Sequence, residues 1–134
     1  MTDTDKSKLL VGTWTLIDIT NRDKDGNRLR SSYGPKKMGV IIFNDDYRMM
    51  VVISDGRESL PSDRPREYTS YAGRYRFDGE TLTTRVDCST VPDRIGTDQV
   101  RPARFSGNCV ILTAPPVDIE GVINYRDLTW EKIC

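Results

Sequence analysis

The sequence predicts an all-β protein, an antiparallel up-and-down barrel of about eight strands with a short N-terminal lead. Three observations carry this. Short β-branched and aromatic runs recur along the chain, each closed by a turn rich in Gly, Asp, Asn or Pro. The first and last runs each hold a tryptophan, in Gly12-Thr13-Trp14 and in Leu128-Thr129-Trp130-Glu131-Lys132. No segment sustains a helical period. Closing the first strand on the last removes the sheet edges and leaves an interior that is either packed solid or holds one small ligand. A two-sheet sandwich is the alternative arrangement.

Residues 1–8 form a flexible or short helical lead, and residues 9–134 a single barrel domain. Leu9 to Thr20 is the first strand, broken by the turn Asp23-Lys24-Asp25-Gly26-Asn27; this segment lacks the further ligands and closing Glu of a calcium loop. The stretch to Lys37, through Tyr33-Gly34-Pro35, is a loop long enough to fold over a barrel mouth. Lys37 to Phe43 and Tyr47 to Ser54 form a hairpin around Asn44-Asp45-Asp46, followed by a polar loop from Asp55 to Arg66. From Tyr68 to Phe77 the period is two, with Tyr71, Gly73, Tyr75 and Phe77 on the inner face. Asp78-Gly79 turns the chain, and Leu82, Thr84, Val86 and Cys88 share the inner face of the next strand. After a loop from Val91 to Gly96, Arg101, Ala103 and Phe105 face one way, with Pro102 marking a bulge or ladder gap. Val110, Leu112 and Ala114 follow, Pro115-Pro116 ends that strand, and Val122 to Lys132 supplies the last.

Composition removes several functions. The 20 basic and 20 acidic residues cancel, so no long-range field draws in nucleic acid or anionic lipid. No apolar stretch reaches the ~18 residues of a membrane helix, and the polar start has no signal-peptide core, which points to the cytoplasm. The three cysteines Cys88, Cys109 and Cys134 are an odd number at wide spacing, as expected of reduced thiols. The chain has no histidine, which excludes histidine-based triads and histidine-ligated zinc or haem. It also has no glycine-rich phosphate loop, Cys-x-x-Cys pair or basic-aromatic stripe, so neither a cofactor nor a metal is expected.

Candidate site residues come from the inner faces. An inward Arg101 needs an anion or a ring of acceptors. It is either an anchor for a ligand carboxylate, enolate or polarised carbonyl, or a cation that closes the barrel end by stacking on Trp14 or pairing with an internal acid. Tyr71 and Tyr75 are either core or, beside Arg101, the best general acid available, because a neighbouring cation lowers a phenol's pKa. Asp18 shares parity with Trp14 and Leu16, so it is an internal carboxylate unless the strand end leaves it at the rim. Cys88 is a small buried hydrophobe on the Val86 face rather than a nucleophile, since no histidine activates it. Met38, Met49 and Met50 offer an adaptable lining or ordinary core, and Trp14 and Trp130 serve as plugs. The catalytic candidates are thus Arg101, Tyr75 and Tyr71, and the ligand-lining candidates Trp14, Asp18, Met49, Thr84, Cys88 and Phe105.

Five motifs together resemble the small intracellular lipocalin-like domains of bacteria and fungi, within the calycin superfamily: Leu10-Val11-Gly12-Thr13-Trp14, Tyr33-Gly34-Pro35 with Gly39, Tyr71-Ala72-Gly73-Arg74-Tyr75, Gly96-Thr97 with Arg101, and Leu128-Thr129-Trp130-Glu131. The resemblance implies a calycin barrel whose cavity takes a small, mostly apolar molecule with one polar end. It also implies one of two roles: a cofactor-independent isomerase or cyclase of a natural-product pathway, polyketide- or terpenoid-like, or a carrier or sensor without turnover. The catalyst is the leading expectation. Where many such relatives carry a histidine after Tyr75, this chain has Thr84, which removes imidazole chemistry. A barrel filled solid, acting only through its surface or a homodimer contact, is the third possibility.

Overall fold

The computed structural model describes residues 6–63 and 65–134. The first five residues of the expected lead and Arg64 of the expected polar loop lie outside the described residues. A single 3-10 turn, Ser7–Leu9, leads into nine strands: β1 (Gly12–Arg22), β2 (Arg28–Leu29), β3 (Lys37–Phe43), β4 (Arg48–Asp55), β5 (Tyr68–Phe77), β6 (Thr81–Ser89), β7 (Asp98–Ser106), β8 (Cys109–Ile119) and β9 (Val122–Lys132). A second 3-10 turn, Pro92–Arg94, lies between β6 and β7. All pairings are antiparallel and join sequence neighbours, apart from β1 with β3, which passes over the two-residue β2, and β1 with β9. Pairing of β1 with β9, from Trp14 opposite Lys132 to Arg22 opposite Tyr125, closes eight strands into a barrel and removes the sandwich alternative.

The core sits inside. Leu10, Trp14, Phe43, Met49, Tyr75, Phe77, Leu82, Val110 and Trp130 are buried, which is the alternation expected of a closed sheet. Two glycines are dictated by close approach. At Gly12 (φ 138°) a Cβ would run into the Cys134 carbonyl oxygen, and at Gly73 it would run into the carbonyl of Arg85.

Three bulges change the faces that parity assigns. In β1, Leu16 pairs with Trp130 but Asp18 pairs with Thr129, so Ile17 is the extra residue. The phase moves by one, Ile19 and Asn21 turn inward, and Ile17 and Asp18 turn out. In β6, Gly73 pairs with Val86 and Ala72 with Cys88, leaving Asp87 unpaired; Cys88 is consequently exposed rather than a buried hydrophobe. In β8 the pair Pro115-Pro116, expected to end the strand, is a bulge instead. Pairing resumes at Val117 opposite Asn124, because two prolines that cannot donate to the ladder are passed over together. On the outer surface Val40, Ile42, Met50 and Val52 stand exposed; Met49 is core, whereas Met38 and Met50 face out.

Candidate functional site

At one end the interior is plugged. Leu10, fully buried, accepts the Trp14 indole N–H on its carbonyl at 2.8 Å. The Tyr75 ring packs edge-on against Phe43 with centroids 5.0 Å apart, and its hydroxyl donates to the Asn44 carbonyl at 2.7 Å. Polar tips here end on backbone acceptors, so apolar burial carries no desolvation cost.

The other end holds a cavity of about 90 Å³. Its walls are Ile19, Ile41, Val51, Ile53 and Leu112, with the Trp130 ring among them. The loop between β2 and β3 folds over it, bringing Ser31, Ser32 and Tyr33 to the lining, while the outer side of the same loop borders a surface groove of about 660 Å³. That loop is tethered through its neighbour after β4. Asp55, 1 % exposed, grips Arg57 with its carboxylate at 2.6 Å, Arg66 donates to the Asp55 carbonyl at 2.6 Å, and the Gly56 N–H donates to Lys36. The Arg57 hydrogen bonds hold the Asp55 carboxyl below its ordinary value of 3.8.

Three guanidinium groups line the cavity: Arg94 from the second 3-10 turn, Arg101 from β7 and Arg126 from β9. Arg101 donates to Gln99 Oε1 at 2.6 Å and to the Val100 carbonyl at 3.0 Å, Arg126 to the Pro115 carbonyl at 3.2 Å, and Arg94 to Thr69 Oγ1 at 3.4 Å. None of the three pairs with a carboxylate among the described residues. Burial pushes Arg101 and Arg126 below the usual arginine range, and the charge of Arg94 adds to it in both.

Tyr71 and Tyr33 complete the polar side. Burial raises both phenols, against the opposing influence of Arg101 and Arg94 on Tyr71 and of Arg126 and Arg94 on Tyr33; Glu67 raises Tyr33 further. The neighbouring cation does pull the Tyr71 phenol down, as expected, but desolvation outweighs it and the net direction is up. Tyr71 is therefore a protonated donor at neutral pH. Three buried polar atoms, Asn21 Oδ1, Arg126 Nε and Trp130 Nε1, make no hydrogen bond, and all three belong to cavity-lining residues. Among the described residues no carboxylate, thiol or lysine amine lines the cavity. Among the described residues no three His, Cys, Asp or Glu side chains gather as a metal site, and no helix is long and apolar enough to cross a membrane.

Of the candidates read from sequence, Arg101 and Tyr71 meet at the cavity. Tyr75, Trp14, Met49 and Thr84 point inward but lie outside the lining, packed into the solid part of the barrel. Phe105 sits at the margin, edge-on to Phe77 at 6.0 Å and 43 % exposed, because it is next to last in β7. Asp18 faces solvent near Arg28 and Lys37, and Cys88 is outside, each displaced by its bulge. Sequence reading missed Tyr33, Asn21, Arg94 and Arg126. Arg126 had a signal: Asn124, Arg126, Leu128 and Trp130 share parity on β9, so the arginine falls on the tryptophan's face.

A family model described as a lipocalin-like domain matches residues 11–133, which spans the whole barrel. Neither the curated proteins nor the solved structures contain a match to this chain.

Proposed function

The chain belongs to the lipocalin-like domain family, and on that premise we propose that it binds a compact, largely apolar molecule with one polar end. The apolar part enters the barrel and the polar end stays at the mouth. The observation that carries this is the division of one cavity into two sides, aliphatic walls ending on Trp130 and a polar side formed by Tyr71, Tyr33 and the arginines. Apolar walls with a few convergent polar groups are the usual composition of a small-molecule site.

Trp130 lines the cavity and Trp14 does not, so a Trp14→Phe variant leaves one indole as the reporter. Titration with compact alcohols, amides and acids gives a saturable change in its emission for at least one class. A barrel that binds nothing gives none, and that result overturns the reading.

A cofactor-independent isomerase or cyclase is a second reading, supported by Tyr71 and Arg101 lining the same cavity. A protonated phenol and a guanidinium there would stabilise developing negative charge while the walls hold one conformer. With no carboxylate or imidazole in the lining, the proton-abstracting versions of that chemistry lack a ready base. A β,γ-unsaturated ketone distinguishes the two. An enzyme converts it to the conjugated isomer and loses that activity in Arg101→Ala and Tyr71→Phe, whereas a carrier returns it unchanged.

A further inference from the structure

We propose that the polar end of the ligand is an anion, the carboxylate of a compact organic acid held at the mouth by Arg94, Arg101 and Arg126. This deepens the binding reading above and rests on it. Three cations converge on one cavity, and among the described residues their partners are neutral acceptors or backbone carbonyls. Partly buried guanidinium groups without counter-charge repel one another and are costly to desolvate. The pairs that would relieve them are made elsewhere, with Arg57 on Asp55, Arg48 on Asp87, Arg85 on Asp98 and Arg104 on Asp127. Five arginines away from the cavity are thus paired with acids, whereas the three that line it together are not.

A second observation points the same way. The three guanidinium groups and the Tyr71 and Tyr33 hydroxyls make the lining rich in donors, and what such a lining lacks is an acceptor-only group with several lone pairs. An ionised carboxylate is that group, and guanidinium grips it with paired bonds. The short aliphatic walls select an acid with a small branched or cyclic body over a bare oxyanion.

The test compares 3-methylbutanoate with its neutral isostere 3-methylbutanamide by calorimetric or NMR titration of the full chain, with inorganic phosphate as the bare anion. The acid is expected to bind at least about tenfold tighter than the amide, since a charge-assisted hydrogen bond contributes roughly 1.5–3 kcal/mol. The acid-over-amide preference is expected to shrink toward unity in Arg101→Met and Arg126→Gln, and to weaken with added salt. Amide binding as tight as acid binding overturns the anion proposal and leaves the binding reading standing. Phosphate binding as tightly as the acid overturns the requirement for an apolar body. Binding of neither organic molecule overturns the anion proposal together with the reading beneath it.

Discussion

The two ends of the barrel solve the same problem in opposite ways. At the plugged end, polar atoms that enter the interior are tied to backbone carbonyls, as the Trp14 indole is to Leu10 and the Tyr75 hydroxyl to Asn44. Around the cavity, Trp130 Nε1 and Arg126 Nε are buried without acceptors, and the three arginines at the mouth have no acid partner among the described residues. One fold holds two tryptophans on inner faces, one satisfied and one not. The difference separates residues kept for stability from residues kept at its expense, and local cost of that kind is a mark of a functional site.

The largest expected effect breaks the plugged end. Phe43→Ala removes a ring that is 1 % exposed and stacked on Tyr75, and it should cost about 3–5 kcal/mol by urea unfolding. Tyr71→Phe at the mouth, which deletes a hydroxyl with no hydrogen-bond partner among the described residues, should change stability by under about 0.5 kcal/mol. Equal losses at the two positions would erase the contrast.

The next effect has the opposite sign. Arg101→Met keeps length and removes an unpaired, partly buried charge, so the ligand-free protein should gain about 1 kcal/mol, as replacement of buried charges by apolar side chains commonly does. An arginine that merely closes the barrel would give a loss.

Acid sharpens the comparison at the loops beside the mouth. Because Arg57 holds the Asp55 carboxyl below its ordinary value, the contribution of that pair is fully present above about pH 3.8 and is lost as pH falls through the lower folded value. Amide exchange in the 55–67 segment should rise over that window in the wild type and already be raised near neutrality in Asp55→Asn. Exchange that is indifferent to Asp55 would show that the loop is held by other contacts. The smallest effect is at the rim. Asp18→Ala loses exposed pairs to Arg28 at 3.4 Å and Lys37 at 3.8 Å, and should cost no more than about 0.5 kcal/mol with ligand affinity unchanged.

How much of this could be read from sequence follows from where the strands are regular. The period of two placed Tyr71, Tyr75, Thr84 and Arg101 inward because β5 and the relevant parts of β6 and β7 run without interruption between them. It failed for Asp18 and Cys88 because each lies one residue beyond a bulge, and nothing in Leu16-Ile17-Asp18 or Val86-Asp87-Cys88 announces the extra residue. Arg94 and Tyr33 come from loops, whose position over the mouth depends on tertiary tethers such as Gly56 to Lys36 that local sequence does not encode. The cation cluster is therefore a property of closure, assembled from a 3-10 turn and two strands that parity treats one at a time.

The most direct measurement of the central claim is the unfolding midpoint of the wild type and Arg101→Met, each with and without saturating 3-methylbutanoate. The account predicts a higher midpoint for the ligand-free variant, and protection by the acid that is large in the wild type and mostly absent in the variant. A ligand-free variant less stable than the wild type, or equal protection of both by the acid, would contradict it.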